Sequence, residues 1–173
     1  MLAQTVRRAT EGDVLAISTL VLSGSFDGTG IEGTSEELDA WRRENASTSL
    51  IRGRIIQDLT LLLVSEGNNG TESLGLCGTG YGSITSPLEA YIGGVYCSVR
   101  RQGIGRSIIE ELLRWLDQNH VQNIEMTIAH HNFNMKKLAS KLGFRKEGEF
   151  TSDRFYKTGT FEIWFLRHHV IDP

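Results

Sequence analysis

A chain of 173 residues with a formal net charge of −3 and 39% apolar residues has the size of one compact domain. Eighteen basic against 21 acidic residues leave no positive excess to grip a phosphate backbone, which excludes nucleic acid as the main partner. Two cysteines, Cys77 and Cys97, build neither a disulfide framework nor a thiolate zinc site and are expected reduced in the cytoplasm; with no apolar signal core at the start and no bilayer-length apolar run, neither export nor a membrane is indicated.

Residues 5–9 alternate and are partly β-branched, which predicts a strand, and Thr10-x-x-Asp13 is a helix-start signal. Val14, Ile17 and Val21 keep a helical period that stops near Ser23-Gly24. Gly24, Gly28, Gly30 and Gly33 break the next stretch, and Thr34-x-x-Glu37 starts a second helix carrying Leu38 and Trp41, so residues 23–58 are expected to be a mobile helix-loop-helix. Residues 58–66 form a nearly continuous aliphatic block, a buried strand with a hairpin exit at Gly67-Asn68-Asn69-Gly70.

Eight glycines lie between Gly67 and Gly94 in otherwise strand-like sequence. Glycine inside a strand marks a bulge or a close approach, so this pattern predicts a sheet whose backbone meets a ligand. From Gly103 the order is helix, strand, helix, strand, strand: Ile104, Ile108, Leu112, Trp115 and Leu116 on the first helix, residues 124–129 as a strand, and Met135, Leu138, Ala139 and Leu142 on a short helix stopped by Gly143. Strands around residues 144–150 and 161–167 then flank a polar loop at 151–160. With no repeat or linker, the reading is one α/β domain over residues 1–173.

The chemistry concentrates between Glu89 and Arg106, where a strand passes through a glycine-containing turn into a helix. A helix start offers unpaired N–H donors and the positive end of a dipole, and Gly103 and Gly105 let a bulky anion approach the backbone. The P-loop is excluded because its Gly-Lys-Ser/Thr is absent, and the dinucleotide fingerprint because Ile108 stands where its third glycine belongs.

Arg100-x-x-Gly103-x-Gly105 resembles the Arg/Gln-x-x-Gly-x-Gly/Ala motif of the GNAT superfamily of acyl-CoA-dependent N-acetyltransferases. Residues 6–10 with Asp13 are similar to that family's opening strand and helix, and Asn132 followed by Leu142-Gly143-Phe144 to its second signature. The resemblance covers nearly the whole chain. It implies an α/β (α+β) fold, a mixed, mostly antiparallel sheet of six or seven strands with about four helices. The sheet splays between strands four and five to hold the pantetheine arm. Acetyl-CoA is then the cosubstrate, no metal is needed, the pyrophosphate lies on the amides of Gln102, Gly103, Ile104, Gly105 and Arg106, and Val95, Tyr96, Cys97, Arg101 and Asn132 complete the cofactor contacts.

The resemblance also implies that Glu89, eleven residues before Arg100, is the general base, often acting through water. An alkyl amine with a pKa near ~10 must lose a proton before it attacks a thioester, and a strand carboxylate that is partly desolvated suits that task. Gly93-Gly94 distorts the strand so that the Val95 or Tyr96 amide can stabilise the oxyanion. Two departures from the family stand out: Ala139 replaces the tyrosine that protonates the departing thiolate, leaving water, Ser140, Tyr156 or the His130-His131 pair as substitutes, and Arg101 replaces a glycine.

Lys136, Lys137 and Lys141 read as a solvated helix face, the His130-His131 and His168-His169 pairs as no metal site, and Cys97 as an ordinary strand residue. The expected activity is transfer of acetyl to a primary amine of a small molecule or peptide. Glu32, Glu36, Glu37 and Asp153 are placed to attract such a cation. The absent tyrosine leaves a CoA-binding regulatory module as the alternative. A homodimer is the family default.

Overall fold

The computed structural model describes residues 3–23, 35–68, 73–99, 101–152 and 159–167. The N-terminal segment forms strand β1 (Ala3–Arg8), and after Thr10 one turn of 3-10 helix runs into α1 (Val14–Ser23). The helix-start signal is a polar lock. The Asp13 carboxylate accepts from the Thr10 N–H at 2.7 Å and the Thr10 hydroxyl at 2.8 Å, and both terminal nitrogens of Arg7 reach it at 2.8 Å. These hydrogen bonds, Arg7's first, outweigh desolvation and hold Asp13 well below the usual carboxylate range.

Two helices follow, α2 (Ser35–Asn45) and α3 (Thr48–Ile56). The expected break at residues 24–34 lies outside the described residues. The helix α3 is additional to the reading above: Ile51 is buried while Leu50 and Ile56 face solvent, so its apolar residues form no single stripe for a periodicity argument to find. Ile17, Val21 and Ile51 pack on Leu62 and Val64 of the next strand.

That strand is β2 (Thr60–Asn68), followed by β3 (Ser73–Ser86), β4 (Glu89–Cys97), β5 (Asn123–Ala129), β6 (Arg145–Ser152) and β7 (Gly159–Arg167). The seven strands form one sheet in the order β1-β2-β3-β4-β5-β7-β6. Every pair is antiparallel except β4 and β5, which run parallel and pair only from Glu89 opposite Asn123 to Ile92 opposite Met126. Past that point the two strands part.

Helix α4 (Ile104–Gln118) covers one face of the sheet. Its Ile104, Ile108, Leu112 and Leu116 are buried at a four-residue spacing, each contributing about 1.5–3 kcal/mol. Helix α5 (Phe133–Lys141) lies on the same core. The Asn132 side chain caps it by accepting from the Met135 N–H at 3.1 Å, and Gly143 at φ +92° follows its end.

The glycines of β3 serve this packing. A Cβ placed on Gly78 would stand 2.4 Å from Ile104 Cγ2, on Gly80 2.8 Å from Ile108 Cγ2, and on Gly82 3.4 Å from Leu112 Cδ2. The close approach expected of a ligand is made at these three positions by α4.

Candidate active site

Where β4 and β5 part, each is still paired on its far side, β4 with β3 and β5 with β7. The facing edges then have no neighbouring strand, a template for an extended, amide-bearing ligand. At the mouth of this wedge β4 is distorted: Gly93 pairs with Tyr81 and Tyr96 with Thr79, so Gly94 and Val95 together face the single Gly80. This is a bulge, with Gly94 at φ +57°. Val95 lies in it, and Tyr96 is already back in register.

The chain then turns into α4. Arg101 (φ +61°) and Gly103 (φ +84°) are both left-handed, and the Gln102 carbonyl accepts from Gln4 Nε2 at 2.6 Å, tying the turn to β1. The first helical bond here runs from the Ser107 N–H to the Gly103 carbonyl, so the N–H groups of Ile104, Gly105 and Arg106 have no partner within the helix. A Cβ on Gly103 would meet nothing within 4 Å; the space before the helix is open. Gly105 instead rests on β4, where its Cβ would lie 3.5 Å from Cys97 Sγ and 3.7 Å from Val95 Cγ1. Wedge, bulge and free helix start therefore adjoin. Arg100 lies outside the described residues.

On the opposite face of the sheet, towards α1–α3, the site is aromatic. Ala90 and Ile92 join the core beneath α4, so alternation points Glu89, Tyr91 and Gly93 the other way. Tyr81 and Tyr91 stand 6.3 Å apart, Trp41 and Tyr96 6.0 Å, and the Arg54 guanidinium lies 4.0 Å above the Tyr81 ring. Burial, more than any neighbouring charge, pushes the Tyr91 phenol up to about 12, against its hydrogen bond with Thr127, so it is a neutral hydroxyl at the fork of the wedge.

The family model of the acetyltransferase (GNAT) family matches residues 32–144. The chain belongs to the GNAT family of acetyltransferases. No curated protein sequence is close enough to match, but solved structures share its shape. PaiA N-acetyltransferase from Thermoplasma acidophilum, in complex with coenzyme A, is 14% identical with a TM-score of 0.77 over 96% of this chain and 99% of its own. YncA from Salmonella typhimurium, with its cofactor acetyl-CoA, is 18% identical with a TM-score of 0.72 over 98% of each chain. Ribosomal-protein-S5-alanine acetyltransferase from Vibrio fischeri is 16% identical with a TM-score of 0.70 over 98% of this chain and 96% of its own.

Within this GNAT fold the remaining candidates fall as follows. Glu89 is the first residue of β4, exposed, with its carboxylate accepting from Ser86 Oγ at 3.2 Å. It shares a face with Tyr91 and Gly93 but stands four residues, about 13 Å at ~3.3 Å per residue, from Gly93. The partial desolvation expected of it is not there. The Asn132 side chain is engaged in capping α5. Ala139 is fully buried in the core and Ser140 is exposed. Tyr156, Glu32 and Asp153 lie outside the described residues, as does the side chain of Glu37; Glu36 is exposed on α2.

Lys136 is not a solvated lysine. It lies 3.1 Å from the buried Glu162 carboxylate, which also accepts from Trp164 Nε1 at 3.0 Å and has His130 Nδ1 at 3.1 Å and Lys146 Nζ at 3.4 Å. Burial opposes ionisation of Glu162, but the hydrogen bonds of Lys136 and Trp164 prevail and hold it below its usual range. The charge a lysine-rich helix face presents is thus partly internal. Among the described residues, no three His, Cys, Asp or Glu side chains are grouped to hold a metal ion, and no helix is long and apolar enough to cross a membrane.

The sequence reading offered no place in the site for Tyr81, Tyr91 or Arg54, and it put Trp41 on the second helix without bringing it to β4. Alternation from the core residues of β4 was available for Tyr91; nothing in the sequence signals that Arg54 on α3 lies over a tyrosine of β3.

Proposed function

We propose that the protein transfers acetyl from acetyl-CoA directly to a primary amine. The observation that carries this reading is the adjacency of three features: a wedge with two open strand edges, the Gly94-Val95 bulge at its mouth, and the unpaired amides of Ile104, Gly105 and Arg106 beside an open space. Together they fit acetyl-CoA. The pantetheine amides pair with the strand edges, the pyrophosphate meets the helix start, and the thioester carbonyl reaches the bulge, where the Val95 N–H supplies an oxyanion donor.

The acceptor arrives as an ammonium with a pKa near ~10 and must be deprotonated first. Glu89, on the face of β4 shared with Tyr91 and Gly93, takes that proton through water, as its exposure and distance require. The free amine attacks the acetyl carbon, the carbon–sulfur bond breaks, and the CoA thiolate, a stable leaving group with a thiol pKa near ~8.5, is protonated by solvent. No side chain at position 139 can do this, because Ala139 is sealed in the core. Cys77 and Cys97, neither of them in a disulfide, support a cytoplasmic location.

Calorimetric titration with acetyl-CoA followed by thiol release against a panel of amines tests the reading. Glu89→Gln is expected to keep acetyl-CoA affinity and lower turnover by about 10²–10⁴-fold. Unchanged turnover with an unchanged pH–rate profile would remove Glu89 from the mechanism. The buried Ala139 also favours a second reading, a CoA-binding regulatory module, and acetyl-CoA binding without thiol release from any amine is the result that selects it.

A further inference from the structure

On the aromatic face of the sheet, an open groove of about 820 Å³ runs between α3 and the β2–β3 strands, lined among others by Ser49, Arg54, Gln57, Asp58, Tyr81 and Ser83. Its floor is shared with the reacting centre. Tyr81 lines the groove and is paired with Gly93; a Cβ on Gly93 would stand 3.0 Å from the Tyr81 hydroxyl, and one on Gly94 2.8 Å from the Tyr81 ring. The same ring carries the Arg54 guanidinium 4.0 Å from its centre. One tyrosine ring therefore separates Arg54 from the bulge.

Arg54 makes no ion pair with any described residue, although Asp58, four residues on, also lines the groove. By contrast Arg7, Arg42, Arg52, Arg106, Arg114 and Arg167 all hold carboxylates. A guanidinium stacked on an aromatic ring keeps its planar donor fork available, and that fork matches a carboxylate in bidentate geometry. The groove lining therefore offers an acceptor a guanidinium, with the Asp58 carboxylate further along it; of the acidic residues expected to attract a cation, Glu32, Asp153 and the Glu37 side chain lie outside the described residues and Glu36 is exposed on α2.

Resting on the acetyl-transfer reading above, we propose that the acceptor is a free amino acid, its carboxylate bound by Arg54 and its amine directed along Tyr81 to the Gly93–Gly94 bulge. The short span set by one tyrosine ring selects an amine only a few bonds from its carboxylate. A polyamine has no carboxylate, and a peptide N-terminus carries its own too far away. The ammonium loses one proton to solvent by way of Glu89, nitrogen bonds to the acetyl carbon, the carbon–sulfur bond breaks, and the products are an N-acetyl amino acid, free CoA thiol and one released proton.

The test uses the whole protein with acetyl-CoA and the common L-amino acids, each beside its own carboxamide, read by thiol release. At least one amino acid is expected to exceed its amide by 100-fold or more in kcat/KM. Arg54→Gln is expected to raise KM for that amino acid at least 30-fold with kcat within a few-fold, and to bring the acid-to-amide ratio close to one. Arg54→Lys, which keeps the charge and loses the fork, is expected to fall between the two. Amides used as well as acids by the unaltered protein, or a ratio that survives Arg54→Gln, would overturn the proposal while leaving acetyl transfer standing. If neither series releases thiol, the wider amine panel decides acetyl transfer, and calorimetry of the amino acids with the CoA-bound protein decides the groove separately: binding lost on Arg54→Gln supports it, and no binding, or binding that survives Arg54→Gln, overturns it.

Discussion

Strand β3 and the turn that leads into α4 are both glycine-rich, and they need glycine for opposite reasons. In β3 the constraint is space: a Cβ on Gly78 or Gly80 would run into Ile104 or Ile108 at 2.4 Å and 2.8 Å. At Gly103 space is open, with nothing within 4 Å, and the constraint is the left-handed backbone at φ +84°. One set of glycines lets a helix settle on the sheet. The other shapes the helix start proposed to meet the pyrophosphate. A glycine-rich strand beside a binding motif is therefore not by itself evidence that the strand touches the ligand, since here the helix carrying the motif fills that space.

The largest expected effect breaks the packing side of this comparison. Gly78→Val forces a branched side chain against Ile104, Ile108 and the Tyr96 carbonyl, which stands 3.2 Å from the added Cβ, and should destabilise the fold by about 3 kcal/mol. The Tyr96 carbonyl is backbone and cannot rotate away. Gly82→Ala is the control on the same stripe: its Cβ meets Leu112 and Trp115 only at 3.4 Å. It should lie within about 1 kcal/mol of the parent, because the loss of chain entropy on folding is smaller for alanine. Chemical denaturation of both variants measures the gradient, and equal losses at the two positions would refute the account of the stripe.

The conformational side predicts a smaller loss of a different kind. Gly103→Ala has no clash to resolve, so its stability cost is the left-handed backbone alone, about 1–2 kcal/mol. Acetyl-CoA affinity should fall further than that strain explains, since the added methyl occupies open space in the turn that leads to the free amides. Parallel melting and calorimetry separate the two effects; affinity equal to the parent's would mean that no ligand approaches there.

How much of this was legible in the sequence follows from the range of the signals. Periodicity found α4 through Ile104, Ile108 and Leu112, the Thr10–Asp13 lock and the stop at Gly143 are local chemistry, and the Gly93-Gly94 distortion was anticipated because a bulge is written in adjacent residues. The splay between the fourth and fifth strands came from family resemblance, while their parallel pairing and its end at Ile92 are seen only in the structure. The contacts that pair distant segments were not readable: Arg54 over Tyr81, Gln4 on the Gln102 carbonyl, Lys136 turned inward to Glu162. Each depends on how two elements pack, and neither partner's neighbours in sequence announce it. For the same reason the bulge was anticipated but its register was not, until the pairing of Tyr96 with Thr79 left Val95 in it.

Arg101 gives the comparison its finest test. It is exposed, occupies the left-handed region at φ +61°, and stands where the resembling family carries glycine. Arg101→Gly removes strain of about 1–2 kcal/mol and adds about 0.5–1 kcal/mol of chain entropy lost on folding, so a net gain in stability of about 0.5–1 kcal/mol is expected. Strain retained at a binding turn, when the simplest substitution relieves it, points to a use for the side chain. We propose that the guanidinium, three residues before the start of α4 at Ile104, meets the same phosphates as the amides. Arg101→Gly should therefore weaken acetyl-CoA several-fold and flatten the salt dependence of binding even as the melting temperature rises. Opposite signs for stability and affinity in this one variant would show that the turn trades backbone ease for charge; a rise in stability with unchanged affinity would reduce Arg101 to an exposed residue in an unfavourable conformation.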